Sequence, residues 1–223
     1  MQEYQRSGAT STVQDDPAAR DLLRRAFEKT YRWPAGFGGF SADLVIEQPD
    51  RRVQGRVELR SARDLRVTLD DAELQKWAEG QFAMIAVHRG PRSFEESDGK
   101  SALALGPEDH HPLGRLLILG DAMNSCYRIK DDRITQINRT MEQIAFTINV
   151  DDSLKTPDGR HLTTRYTVYY FTPKESRLTN VESFNDQPAV VDGIHLPGTR
   201  TLSFFDAGRV QVRRTTFLRH ALL

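Results

Sequence analysis

Cysteine is almost missing from this chain. Cys126 is the only one in 223 residues, so no intrachain disulfide can form and nothing points to an oxidising compartment. A net charge is missing too. The 31 basic and 31 acidic side chains cancel, which excludes a general binder of nucleic-acid phosphates, since such proteins carry a basic excess. No run of about 18 apolar residues occurs, so no transmembrane segment is expected, although peripheral contact with a membrane is compatible with the sequence. The opening stretch, "MQEYQRSGATSTVQDD", lacks the apolar core of a secretory signal. The expected location is therefore the cytoplasm. No G-x-S-x-G elbow is present, which leaves a Ser-His-Asp hydrolase without support.

Metal-ligand spacing is also lacking. His110 and His111 in "PEDHHPLGR" are adjacent, and adjacent residues of a strand point to opposite faces. No histidine pair stands at i, i+2 or i, i+4, so a site combining these two with His88, His161 or His195 is not expected, and a polar surface loop is. Neither a metal nor a cofactor is expected. Cys126 lies in a strand pattern and reads as an inert thiol. Arginine outnumbers lysine about four to one. Because the arginines are spread along the chain, the excess reads as codon composition rather than as a guanidinium-lined site.

What remains is enough for one domain, since a chain of this length buries about 70% of the surface its unfolded form exposes. Residues 1–15 are polar and expected to be flexible, with a single domain over 16–223. Asp16 can cap a helix and Pro17 suits its first position; Leu22, Leu23, Ala26, Phe27 and Thr30 then follow at helical spacing. The helix leads into "WPAGFGGFSADLVI", with glycines at 36, 38 and 39. Phosphate-binding glycine loops run strand, loop, helix, because the helix N-terminus supplies the N–H groups. Here the order is helix, loop, strand, so the glycines are expected to stop the helix and bend the chain.

Period two takes over from Phe40 to Ile46 and repeats from Val53 to Leu59 and from Leu65 to Leu69, giving an antiparallel meander. A second helix fits "DDAELQKWAEGQFAMIAVHR", capped by Asp71. A Gly-, Pro- and Ser-rich loop runs from about 89 to 113, with a short strand at Ala102 to Leu105. From residue 125 onward strand follows strand, the tight turns including Asp131-Asp132 and the repeated "DG-x-HL" at Asp158–Leu162 and Asp192–Leu196. His161 and His195 read as structural groups at strand starts, with a catalytic pair as the alternative.

About nine or ten strands and two helices, with no βαβ crossover, predict an α+β fold. Its centre is a large curved antiparallel sheet, a half-barrel or open barrel, with two covering helices. Two helices cannot hide the apolar face of so many strands. The excess must close on itself, pack on a partner, or border a hydrophobic cavity. The expected cavity lining is Phe40, Leu44, Val57, Val67, Trp77, Phe146 and Tyr170. Tyr166, Tyr169, Tyr170, Phe171, Phe204 and Phe205 cluster in the last strands, where they serve as core or as an aromatic wall for a ligand.

Four stretches, "RAFEKTYRWPAGFGGFSADL", "GRVELR", "YRIKDDRITQINRTM" and "DGRHLTTRYTVYYF" with the later "DGIHLP", resemble an uncharacterised family of cyanobacteria and plastids. That family is a domain of unknown function of about 200 residues, and the resemblance covers residues 20 to 220. The strand plan is also similar to half-barrel carriers of lipoprotein acyl chains. The resemblance implies a photosynthetic organism, a cytoplasmic or stromal site near thylakoids, and no catalytic residues. The leading expectation is a non-enzymatic carrier or sensor of a lipid or pigment on the concave face of the sheet. An assembly factor whose uncovered sheet docks a protein partner is the alternative, and an enzyme using His88, His110, His161 or His195 comes third.

Overall fold

A computed structural model describes residues 13–223. The segment expected to be flexible, 1–15, lies outside the described residues except for its last three. There the Asp15 carboxylate pairs with Arg20 at 2.7 Å and accepts the Leu103 N–H at 2.9 Å.

Helix α1 spans Pro17–Glu28. The Asp16 side chain accepts the Ala18 N–H at 2.8 Å, and Pro17 fills the first position, where an N–H would have no partner. Three strands follow: β1 (Phe40–Gln48), β2 (Arg51–Leu59) and β3 (Leu65–Leu69). Helix α2 (Ala72–Arg89) starts where the Asp71 carboxylate accepts the Leu74 N–H at 2.8 Å. A single 3-10 turn at Asp98–Lys100 leads to nine more strands. They are β4 (Leu103–Leu105), β5 (Arg115–Leu119), β6 (Cys126–Lys130), β7 (Arg133–Thr140), β8 (Ala145–Lys155), β9 (His161–Phe171), β10 (Leu178–Val191), β11 (Ile194–Asp206) and β12 (Arg209–Leu222).

All twelve strands form one open antiparallel sheet in the order β3-β2-β1-β12-β11-β10-β9-β8-β7-β6-β5-β4. Neighbours are consecutive in the chain except at one place, where β1 pairs with β12 and Phe40 lies opposite Leu222. The predicted α+β plan holds, with more strands than expected. The strand that periodicity missed is β5, where Leu116 to Leu119 form an unbroken apolar run after Arg115, with no alternation to read. Hairpins close on the expected residues: Asp131 and Asp132 take φ of 51° and 52°, and Asp192-Gly193 takes 47° and 79°.

The glycines do something other than stop α1, which ends at Glu28, well before Gly36. A Cβ on Gly38 would stand 2.3 Å from the Leu223 carbonyl oxygen, and one on Gly39 2.3 Å from that of Leu59. They let the chain pass between the ends of two strands, and the Leu223 N–H donates to the Gly39 carbonyl at 3.1 Å.

Hydrophobic packing falls into three parts. At one end of the sheet, Phe40, Leu44, Val57 and Val67 pack beneath the Leu74, Ala78, Phe82 and Ala86 stripe of α2. At the other end, Ala19, Leu23, Ala26 and Phe27 of α1 cover Leu103, Leu117, Tyr127 and Ile129. Between them the long strands β8–β11 have only a small buried cluster, Val168, Phe184 and Leu202. The two helices thus cover the ends of the sheet and leave its middle open.

Candidate functional site

Over that uncovered middle lies a cavity of about 440 Å³, within the range of roughly 300–1,000 Å³ usual for small-molecule sites. Its floor comes from alternate residues of the long strands: Phe146, Ile148 and Val150 on β8, Tyr166, Val168 and Tyr170 on β9, and Phe184 on β10. In β7 the register shifts opposite Arg128 and Ile129, leaving Thr135 as an extra residue, so Ile134 and Ile137 both face inward. Most of these apolar side chains are only half-buried, although they lie on the concave side of the sheet. Tyr166 and Phe184 stack with ring centroids 4.6 Å apart.

The roof is a second stripe of α2. Gln81, Met84, Ile85 and His88 face the cavity, one helical face away from the stripe that fills the core. A helix that serves two apolar surfaces shows a weaker amphipathic pattern than α1, whose single buried face is unmistakable. The mouth is formed by Thr30–Trp33 and Arg92. That segment is clamped to the starts of β9 and β11. Tyr31 N–H donates to the His161 carbonyl at 2.9 Å, Trp33 Nε1 to the His195 carbonyl at 3.1 Å, and His195 N–H to the Tyr31 hydroxyl at 2.9 Å. Both "DG-x-HL" histidines therefore hold the mouth through their backbones.

The polar groups of the cavity are mainly cationic, and five arginines line it: Arg32, Arg89, Arg92, Arg139 and Arg200. The reading of scattered arginines as mere composition is overturned here, because the fold gathers residues that are far apart in sequence. Arg200 is fully committed. Its Nε and Nη2 reach the Asp186 carboxylate at 2.8 and 2.7 Å, Nη2 the Tyr166 hydroxyl at 3.2 Å, and Nη1 the Gln81 side-chain oxygen at 3.2 Å. Burial opposes its charge, but Tyr166 and Asp186 together outweigh it and the pKa is raised. Arg89 donates to the Thr163 carbonyl at 2.9 Å, and burial pushes its pKa down to about 10. Arg32 is also lowered to about 10, by burial and then by Arg92. The Arg139 Nη2 donates to the Tyr127 hydroxyl at 2.8 Å, and burial pushes Tyr127 up to about 12. Asp98, which faces Arg139, Arg92 and Arg32, is raised by burial.

His88 registers this field. Its ring keeps accessible surface because the cavity is open, yet protein surrounds it on its other sides. That desolvation, then Arg92, Arg89, Arg139 and Arg200, pushes its pKa down to about 4. At neutral pH it is an uncharged imidazole.

Of the residues expected to line a cavity, Phe146 and Tyr170 face this one, and the Tyr170 hydroxyl donates to Glu182 at 2.9 Å. Phe40, Leu44, Val57 and Val67 lie on the same side of the sheet but outside the cavity wall, because α2 fills the space above them. Trp77 stands at the boundary between core and cavity, with the Arg213 guanidinium 4.0 Å above its ring. His110 and His111 sit in the surface loop, while His88 and His195 reach the cavity. Among the described residues, no group of three His, Cys, Asp or Glu side chains is arranged to hold a metal ion. No helix among them is long and apolar enough to cross a membrane.

The model of a family described as "Protein of unknown function (DUF3386)" matches residues 14–223. No curated protein matches the sequence. Among solved structures, the chain is similar to a lipoprotein-sorting protein domain of Vibrio parahaemolyticus, described as an outer membrane one, with 9% identity, 92% of each chain covered and a TM-score of 0.34. It is also similar to a chain of the Pseudomonas aeruginosa MucA/MucB complex, with 12% identity, 92% of this chain and 99% of the other covered, and a TM-score of 0.24. At such identities and scores the likeness carries no functional inference.

Proposed function

We propose that this chain, which belongs to the DUF3386 family of unknown function, binds and carries a hydrophobic molecule, a lipid or pigment, in the cavity between α2 and the middle of its sheet. One observation carries the reading. The apolar side chains of β7–β9 are ordered on the concave face and half-buried around about 440 Å³ of open space, whereas both ends of the same face are filled by helices. A preformed hollow with a largely apolar floor is what small-molecule sites have in common, and here charged groups border it. Origin in a photosynthetic organism, with residence in the cytoplasm or stroma and transient contact with thylakoids for loading, belongs to the same proposal.

Titration of the delipidated chain with an apolar fluorophore tests it. Saturable binding at one site per chain, abolished when Ile148→Trp fills the floor, is the expected outcome. A dye signal that ignores this substitution would count against the cavity. A second reading, docking of a protein partner, is favoured by a separate feature. Phe205 and Val210 face each other across the β11–β12 hairpin, 61% and 72% exposed, with Val212 beside them at 44%. Charging that pair with Phe205→Lys should leave dye binding intact and remove any partner contact made there.

A further inference from the structure

We infer that the cavity's occupant is a single-chain amphiphile with an anionic head, a carboxylate or a phosphate monoester. The head lies between Arg32 and Arg92 at the mouth and Arg139 inside it, and the apolar chain runs along Phe146, Ile148 and Tyr170. This inference rests on the proposed function and adds the chemical class of the ligand.

Charge pairing is the first observation. Of the acidic groups in the cavity, Asp186 is held by Arg200 and Glu182 accepts from Tyr170. Arg32, Arg92 and Arg139 share Asp98, Arg89 feels Asp186, which Arg200 already holds, and none of the four forms an ion pair with a described residue, so cations outnumber carboxylates in the cavity. Arg32, Arg89 and Arg139 are partly desolvated while Arg92 is exposed at the rim; a partly desolvated cation without a paired counter-charge is costly, so a ligand anion fits here.

Hydrogen bonding is the second. The Nε–H groups of Arg32 and Arg139 are buried and have no acceptor among the described residues. Other atoms of the same guanidinium groups are satisfied: Arg32 Nη1 donates to the Phe27 carbonyl at 2.8 Å, and Arg139 Nη2 to Tyr127. Each guanidinium is thus held through one Nη group, while its Nε–H stays buried without an acceptor, which adds to the cost of the uncompensated charge. A carboxylate or phosphate presents several acceptors to a guanidinium fork.

Position is the third. Arg32 and Arg92 line both the cavity and a wider open groove of about 760 Å³ outside it, together with Thr30, Tyr31 and Trp33. These residues stand where the enclosed space meets solvent. An amphiphile bound with its chain inward would leave its polar head there. The opposite orientation would bring an apolar tail into a groove that carries Glu28, Glu95, Asp158 and Arg160.

The test is displacement of a bound apolar fluorophore from the delipidated full chain by palmitate, hexadecyl phosphate, 1-hexadecanol, acetate and inorganic phosphate. Palmitate or hexadecyl phosphate is expected to displace at least about tenfold better than hexadecanol, and the better of the two identifies the head. Acetate and inorganic phosphate alone should displace nothing, which separates a lipid head from a free anion. Arg32→Gln with Arg139→Gln should erase the tenfold preference, read as the ratio of palmitate to hexadecanol displacement within the variant. Arg92→Gln, on an exposed loop residue that gives up only its contacts to the Val87 carbonyl and the Phe27 ring, should reduce the preference. Equal displacement by palmitate and hexadecanol would overturn the anionic head and leave the apolar site standing, as would a preference unmoved by the arginine variants. Failure of the fluorophore itself to bind would instead remove the proposed function.

Discussion

Truncating Phe40 and Phe146 to alanine in parallel separates a filled region from a hollow one on the same face of the same sheet. Phe40 is 0% exposed, and its ring packs edge-on to Trp33 and Phe217 with centroids 6.2 and 6.4 Å away. Removing it loses the transfer free energy and opens a new void, about 3–5 kcal/mol for a buried phenylalanine. For a chain of this length that is a fall in Tm of roughly 6–20 °C. Phe146 is half-buried and already borders open space, so its truncation creates no new void. Only part of the roughly 1.5–3 kcal/mol for burying a large apolar side chain is at stake, about 1 kcal/mol. Urea unfolding followed by far-UV circular dichroism gives both values, with the m-value checking that the two-state comparison holds. The reasoning is refuted if Phe146→Ala costs as much as Phe40→Ala, because a loss of that size means the middle of the sheet is packed solid.

Other outcomes follow from the same geometry. Ile148→Trp should change stability by less than about 1 kcal/mol, whereas Val57→Phe beneath α2 should cost about 1–3 kcal/mol by overpacking; chemical denaturation compares them. Arg200→Met strips the counter-charge from Asp186 and should cost about 3–5 kcal/mol, with much of it restored by Asp186→Leu in the double variant, as read by a thermal-melt cycle. Gly36→Ala, at φ 82° in open space, should cost about 1–2 kcal/mol for its left-handed conformation. Gly39→Ala should cost more, because a backbone oxygen stands 2.3 Å from the new Cβ. The His88 imidazole should titrate near 4 by NMR, against about 6.5 in an unfolded chain. Because the unfolded state takes up that proton first, stability should fall as pH drops from about 6.5 to about 4, and His88→Gln should flatten that slope. A His88 midpoint above 6 would mean that burial and the neighbouring arginines do not act on it.

Local chemistry made much of this fold legible. Asp16-Pro17 and Asp71 announce the helix starts by what their side chains do for unpaired N–H groups, and Asp-Gly and Asp-Asp pairs announce hairpins by tolerating positive φ. Period two identifies the concave face correctly from Phe40 through Tyr170. It cannot say which stretch of that face a helix covers, and so it does not separate Phe40, Leu44, Val57 and Val67 under α2 from Phe146 and Tyr170 in the open middle. The double role of α2 hides for a similar reason: two apolar stripes, Leu74 to Ala86 and Met84 to His88, blur into a helix with little amphipathic contrast. The arginines are invisible to any local reading. Positions 32, 89, 92, 139 and 200 sit on a neck, a helix end, a loop and two strands, and only strand order brings them together. One signal was available, since the cavity stripe of α2 continues past His88 into Arg89 and Arg92.

Native mass spectrometry of the gently purified full chain reads the cavity's occupancy. One apolar molecule per chain is expected, released on collisional activation and missing from the Ile148→Trp variant. A wild-type chain that stays bare even after incubation with lipid extract, or a tryptophan variant that carries the same adduct, would contradict it.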